Sequence, residues 1–460
     1  MSKLSLLAFA ARPSEIVHGI RRLGLRGAVV HGVRRASATT ERALLGPAQI
    51  RLNPMGAICN HACRMCWLQH LEPATLQSLV KIDKTERMAL TDYVALFDGM
   101  PRGLTEVNVV GGGEPLVHPE CLDIMSEVKK RGWRGYLMSN GTLLDEQSAR
   151  ALVDMNWDKT RFSIHAGDRD TYRAVHDRDN FERLHDNLSR LVKYRNERAA
   201  NSVGIEAHFV IQRLNLHTIP QMFAFAHEVG VDHMVFEIIF ALSPQFRLTK
   251  DEHREAARLL RECASRSSIT SNALEIAVLH ESEIVDAPEL PFEPFDLTPE
   301  QEPDELAREL QEVGSRTRET EPGGASVAPA GVPVTTSTTS TTDTTDTTNN
   351  KSCAGTVKAR TTGSCDPEHA DVSPPPQPAR DVYVPAKRCS VGFDSAFITA
   401  TGDVMPCCFS DEVMGNVREN SFREIWYGAT YREFRKRLIR GQFADYCSRV
   451  RCKLRSFLHD

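Results

Sequence analysis

Three cysteines inside one short segment, Cys59-Asn-His-Ala-Cys63-Arg-Met-Cys66, constrain this chain more than any other feature. Spaced C-x3-C-x2-C on a loop directly after a strand-like stretch, they can fold around a single inorganic centre. Iron-sulfur clusters take cysteine thiolates, and a loop supplies the curvature. No fourth cysteine lies nearby, so one coordination position stays open, as in a catalytic metal that keeps room for a substrate or cofactor. A structural zinc site needs a fourth protein ligand, and His61 inside the triplet is the residue that would serve.

The rest of the composition narrows the class. A chain of 460 residues predicts two or three folded units. A net charge of -5 does not favour a strongly basic nucleic-acid binder. No apolar run approaches the roughly 18 residues of a membrane span. The twelve cysteines gather at two distant places, a metal-site distribution more than a disulfide ladder, which fits a reducing, cytoplasmic setting. At the N-terminus, Arg12-Pro13 and the arginines that follow give Met1–Ala11 the wrong flank for a cleaved signal. Residues 15–33 have helical periodicity with a basic face. A solvated face on a packed helix is the favoured reading, and weak contact with an anionic membrane surface is the alternative.

From Gln49 to about Ala277 short apolar strands alternate with amphipathic helices, the pattern of a parallel sheet. Strands are expected at Gln49–Pro54, Thr105–Val110, Arg134–Ser139, Thr160–His165, Val203–Ile211 and His233–Ile239. Helices are expected at Thr91–Gly99, Pro119–Arg131, Asp145–Met155, Phe181–Arg198 and His217–Val229. Six such units predict an α/β fold, a partial (β/α)6 TIM-type barrel. An acidic, proline-interrupted stretch and then a threonine tract follow, with too few large apolar residues to offset their ordering entropy. The expected organisation is a basic helical segment at 1–48, a core at 49–287, a low-complexity insertion at 288–385, and a small cysteine-rich α+β domain at 386–460.

Further motifs stand at the strand ends. Gly111-Gly112-Gly113-Glu114-Pro115 follows the second strand, where glycines let backbone approach a ligand closely. Ser139-Asn140-Gly141-Thr142 follows the third; Ser163 and His165 share one side of the fourth; Arg213 and Asn215 lie beyond the fifth. Turn capping by Ser and Asn is the plain structural alternative for the serine and asparagine motifs. With the cysteine triplet, these motifs resemble the radical SAM superfamily over about Arg51 to Phe240. The resemblance implies a 4Fe-4S cluster held by Cys59, Cys63 and Cys66, whose open iron binds S-adenosylmethionine (SAM). It implies cofactor contacts at Gly112, Gly113, Glu114, Ser139, Asn140, Ser163 and Arg213. One departure stands out: Met65 takes the place of the family's usual aromatic before the third cysteine, with Trp67 just after it, and this bears on adenine packing.

At the C-terminal end, Cys389-x12-Gly402-x4-Cys407 is similar to the opening of the SPASM/Twitch auxiliary-cluster domain, with a hairpin around Thr401-Gly402-Asp403 and an amphipathic basic helix over Phe422–Leu438. The resemblance implies that Cys389, Cys407, Cys447 and Cys452 close a probable second 4Fe-4S site. The Cys407-Cys408 doublet leaves the ligand open, and zinc on the same four thiolates is the alternative. Cys121 and Cys263 read as buried small hydrophobes, and Cys353 and Cys365 are assigned no role.

The family relationship implies an oxidoreductase-type enzyme that generates a 5'-deoxyadenosyl radical for oxidative modification of a peptide, drawing electrons from a donor such as flavodoxin or ferredoxin. Dehydrogenation of a sugar or aminocyclitol alcohol is the alternative substrate reading. A non-catalytic iron-sulfur or zinc protein is the alternative of a different class. No catalytic side chain is named by the sequence.

Overall fold

The computed structural model describes residues 33, 37, 42–66, 68, 87–198, 203–239, 244–283, 389, 391–408 and 410–442. All belong to one compact unit, residues 1–320 with 386–460; the second unit, 321–385, lies outside the described residues. So do the basic segment 1–32, the insertion 288–385, and Cys447 and Cys452.

One sheet organises the described residues. Strands β1 (Gln49–Leu52), β2 (Glu106–Val109), β3 (Arg134–Ser139), β4 (Lys159–Ser163), β5 (Gly204–Ile211), β6 (His233–Ile238) and β7 (Thr270–Ser271) pair in sequence order, each parallel to the next. Helices α1 (Leu90–Asp98), α2 (Cys121–Lys130), α3 (Glu146–Asp154), α4 (Arg169–His176), α5 (Phe181–Glu197), α6 (Ile219–Val229), α7 (Lys250–Arg266) and α8 (Ala273–Glu283) lie between and after them. This is the expected partial TIM-type barrel, with all six predicted strands within two residues of their predicted ends.

Four strands extend the sheet beyond six. β7 is two residues long, too short to carry an alternation. β8 (Ser395–Ile398) pairs parallel with β1, while its other edge forms a hairpin with β9 (Asp403–Met405), itself antiparallel to β10 (Gly415–Asn416). The hairpin was legible; its second role, covering the open edge of β1, was not. Gly402, at φ +92, makes the hairpin turn in a conformation that a side chain would strain. Helices α9 (Phe422–Tyr427) and α10 (Ala429–Ile439) follow, where one helix was expected. The expected continuous helix breaks because Gly428 is extended, at ψ 175, and serves both as the C-cap of α9 and as the N-cap of α10.

Alternation along β5 sorts the two faces. Ile205, Ala207, Phe209 and Ile211 are fully buried in the shared core beneath the helices, each contributing on the order of 1.5–3 kcal/mol except the smaller alanine. Glu206 and His208 alternate onto the opposite face, the inner wall of the barrel. Caps fix the helix starts: Asp145 accepts from Ser148 N–H, Asp168 from Thr171 N–H, and Thr249 forms a capping box with Glu252.

Candidate active site

The cysteine loop follows β1 and packs on the loop that follows β2. Gly113 N–H donates to the Gly56 carbonyl at 2.8 Å and Glu114 N–H to the Ile58 carbonyl at 2.9 Å. A Cβ at Gly113 would overlap the Ile58 backbone, so the two loops approach this closely only because residue 113 is glycine. Glu114 turns its carboxylate inward. The buried group accepts from Leu116 N–H, Ser139 Oγ–H and Asn140 N–H, at 3.0, 2.8 and 2.7 Å. Burial raises its pKa while those three donors oppose the rise. With its carboxylate saturated from within, Glu114 offers a ligand its backbone alone and acts as the hub joining the second and third strand ends.

Asn140 carries the link onward. Its Oδ1 accepts from Thr142 N–H and Oγ1–H, an Asx-type turn, and its Nδ2 donates to Asn60 Oδ1 at 2.8 Å. Asn60 Nδ2 in turn donates to Thr142 Oγ1 at 2.9 Å. The expected turn capping is therefore present, and it ties the third strand end directly to the cysteine loop between Cys59 and Cys63.

The three thiols are drawn together by this framework. Burial pushes the Cys59 thiol up to about 12 and the Cys63 thiol well above its ordinary value, with the facing charges of Glu114 and Cys66 adding for Cys59 and those of Cys59 and Cys66 for Cys63. His61 N–H donates to Cys59 Sγ at 3.4 Å. Three half-buried thiols on one loop, with a backbone donor on the Cys59 sulfur, suit an iron-sulfur centre, whose cations remove the repulsion between thiolates and whose sulfurs accept such hydrogen bonds.

A histidine shell surrounds Cys63, and the sequence did not reveal it. His176, at the end of α4, has Nε2 2.8 Å from the Ile164 carbonyl and Nδ1 3.0 Å from Cys63 Sγ. The carbonyl fixes the proton on Nε2 and turns the Nδ1 lone pair to the thiol, an outer-shell orienting contact. His61 stacks edge-on against His176, its ring nitrogens buried without a hydrogen-bond partner. Ligand atoms of His61, Cys63 and His176 lie within 4.8 Å of one another, so the zinc reading finds a second histidine that the sequence did not point to. That set takes in one of the three cysteines and leaves Cys59 and Cys66 unused, whereas a cluster uses all three.

Of the remaining expected residues, Ser163 ends β4 in register with His208. His165 adopts a left-handed φ of 55, held by Asn215, which donates to the His165 and Val210 carbonyls, and by its own Nδ1, which accepts from Val210 N–H. Arg213 Nε lies 3.2 Å from Glu252 Oε1 in the first turn of α7. Met65 Sδ meets Gln212 Nε2 at 3.0 Å. Below the rim, the inner wall is ionic. Buried Glu206 binds Lys159 at 2.8 Å and Arg161 at 2.9 Å, and these cations hold its carboxyl below the ordinary range against burial. Arg161 lies over the Tyr136 ring, and His208 Nε2 is 3.5 Å from Glu237 Oε1. Polar alternation along β4 and β5 was the available signal for this wall.

Of the second cysteine group, Cys389 and Cys407 are half-buried at the two ends of the hairpin region. Cys408 is exposed, with Sγ 3.9 Å from Arg51 Nη1. Cys121 is buried at the start of α2, and Cys263 is only half-buried on α7.

Residues 53–211 match the radical SAM superfamily, and residues 389–453 match the SPASM iron-sulfur cluster-binding domain. The chain carries a radical SAM domain followed by a SPASM domain. The first match begins just before the cysteine loop and ends with β5, so it takes in the loops after β1 to β4, while Arg213 and Asn215 lie just beyond it. A radical SAM domain implies a 4Fe-4S cluster and SAM, and a SPASM domain implies additional iron-sulfur clusters. Among curated proteins, the chain is 27% identical over 195 residues to a tungsten-containing aldehyde ferredoxin oxidoreductase cofactor-modifying protein of Pyrococcus furiosus, covering 41% of this chain and 50% of that protein. It is 23% identical over 177 residues to a probable GTP 3',8-cyclase of Metallosphaera sedula, covering 38% and 51%. The chain thus spans about half the length of the curated relatives it matches. Similar solved structures include Streptococcus suis SuiB bound to S-adenosylmethionine, at 12% identity, TM-score 0.48, and 92% and 71% coverage of the two chains. Native anSMEcpe with bound AdoMet matches at 13% identity, TM-score 0.46, and 88% and 86% coverage. No described helix is long and apolar enough to cross a membrane.

Proposed function

We propose that this protein reductively cleaves SAM at the Cys59/Cys63/Cys66 loop and uses the resulting radical for oxidative modification of a peptide. The observation that carries the reading is that the loop bearing the three thiols is bonded to the strand-end loops of β2 and β3, locked by Glu114 and Asn140. When bound there, a reduced 4Fe-4S cluster would supply the one electron that splits SAM into methionine and a 5'-deoxyadenosyl radical, which would take a hydrogen atom from the substrate.

Cys59, Cys63 and Cys66 would each hold one iron, and three protein ligands leave the fourth iron to SAM. The backbone at Gly112, Gly113 and Glu114 would receive the SAM amino group, while Ser139 and Asn140 fix that loop rather than reach outward with saturated side chains. Ser163 and Arg213, at the ends of β4 and β5, are proposed to face the same ligand. Cys389 and Cys407, with Cys447 and Cys452 outside the described residues, would hold the auxiliary cluster, which would accept the electron lost by the substrate radical and so make the net reaction an oxidation. An ionic inner wall of Arg161, Glu206, His208 and Glu237 suits a substrate rich in amides and charges, as a peptide is. The same wall supports a second reading, a polyhydroxylated substrate oxidised at an alcohol carbon.

Anaerobic iron and sulfide quantitation with EPR tests the cofactor part. The expectation is about eight irons in the wild type and about four in the Cys59/Cys63/Cys66 triple-alanine variant, with a SAM-dependent change of the EPR signal only in the former. Wild-type protein without iron after reconstitution overturns the proposal.

A further inference from the structure

Arg435, on α10, is a fully buried guanidinium with its charge unanswered. Its relative exposure is 0%, and its Nε donates to the Gly392 carbonyl at 2.6 Å. Its carbon lies 4.5 Å from the Trp426 ring centroid, 4.8 Å from that of Tyr431 and 5.8 Å from that of Phe393. Nη1 and Nη2 are buried and have no hydrogen-bond partner. Burial draws the pKa down to about 10, and the charges that oppose the fall belong to Tyr431 and Tyr427, not to a carboxylate. In the helix expected to be amphipathic and basic, Arg435 belongs to the buried face and points into the aromatic interior, not to water.

Ring faces answer part of such a charge, but four unpaired N–H donors in a dry interior remain costly. The surroundings indicate the missing partner. Gly392 lies three residues after Cys389, and Tyr431 Oη lies 3.5 Å from the Met405 carbonyl, two residues before Cys407. The guanidinium thus bonds to the backbone segment that follows Cys389, and the Tyr431 ring against it reaches the segment that precedes Cys407.

We propose that Arg435 is the buried counter-charge of the auxiliary iron-sulfur cluster and sets its reduction potential. The inference rests on the proposed cluster at Cys389 and Cys407. A 4Fe-4S centre with four thiolates is anionic, and reduction adds one more negative charge, so a fixed cation beside it favours the reduced form. Its planar fork also supplies donors to sulfur, which a lysine supplies less well.

The test uses the full chain carrying Cys59, Cys63 and Cys66 all replaced by alanine, so that the remaining iron is auxiliary. Iron is counted first: about four irons uphold the cluster, whereas zinc or no metal overturns the cluster reading on its own account. An EPR-monitored redox titration then compares this parent with Arg435→Met and Arg435→Lys versions. Arg435→Met is expected to shift the reduction equilibrium at least tenfold toward the oxidised form, a midpoint lower by 59 mV or more for one electron, and Arg435→Lys less. A methionine variant that keeps its iron and the parent's midpoint overturns the inference, leaving Arg435 a packing residue. If the methionine variant loses its iron, retention in Arg435→Lys with a midpoint lowered less than tenfold supports the counter-charge, and loss in both overturns it.

Discussion

The first cysteine loop is secured by hydrogen bonds, whereas the helices that follow the second cysteine pair are packed ring against ring. Around Cys59, Cys63 and Cys66, the Glu114 carboxylate, the Asn140 carboxamide and backbone-to-backbone bonds fix three loops against one another. After Cys389 and Cys407, the rings of Phe422, Trp426, Tyr431 and Phe434 contact one another in turn, with Arg435 among them. A polar scaffold holds position only while each donor and acceptor is answered, so it fails by an isosteric polar swap. A ring-packed scaffold tolerates such swaps at its edge and fails by lost volume and lost cation contact.

The sharpest break in this comparison is at the thiols. Alanine at Cys59, Cys63 and Cys66 together is expected to abolish 5'-deoxyadenosine formation while sparing the auxiliary iron, checked by product assay and iron count on one preparation. Next comes Gly113→Ala, whose added methyl displaces the cysteine loop from β2. SAM cleavage is expected to fall roughly a hundredfold with the C-terminal EPR signal unchanged. Glu114→Gln is milder and reads out as stability. One amide N–H₂ must then face a donor, Asn140 N–H or the Ser139 and Leu116 pair, at a cost of about 1–3 kcal/mol in a denaturant titration. Smallest is Trp426→Phe, which loses the indole donation to the Leu45 carbonyl at 3.0 Å and weakens the face over Arg435. About 1–2 kcal/mol is expected, with the auxiliary signal altered and the SAM-binding signal intact.

What could be read beforehand follows the same division. Alternation and glycine-marked strand ends are local, so β1 to β6 and the motifs at their ends were legible along the chain. β7 and the pairing of β8 with β1 were not, because two residues carry no period and an edge pairing across more than 340 residues leaves no local mark. Helix α4 escaped because its eight residues start at Asp168 with few apolar positions, and with it went His176, the partner of Cys63. That this last helical stretch is basic and amphipathic was legible, but not the burial of Arg435. Its i–4 relation to Tyr431 was the available sign that this arginine belongs to the buried face.

The central claim is SAM cleavage at the hydrogen-bonded cysteine loop. The most direct measurement is chromatographic quantitation of 5'-deoxyadenosine after anaerobic incubation of the reconstituted, dithionite-reduced full chain with SAM. The account predicts 5'-deoxyadenosine from the wild type and none from Cys63→Ala at equal protein. A wild type with both clusters loaded that yields none, or a Cys63→Ala protein that yields as much, would contradict it.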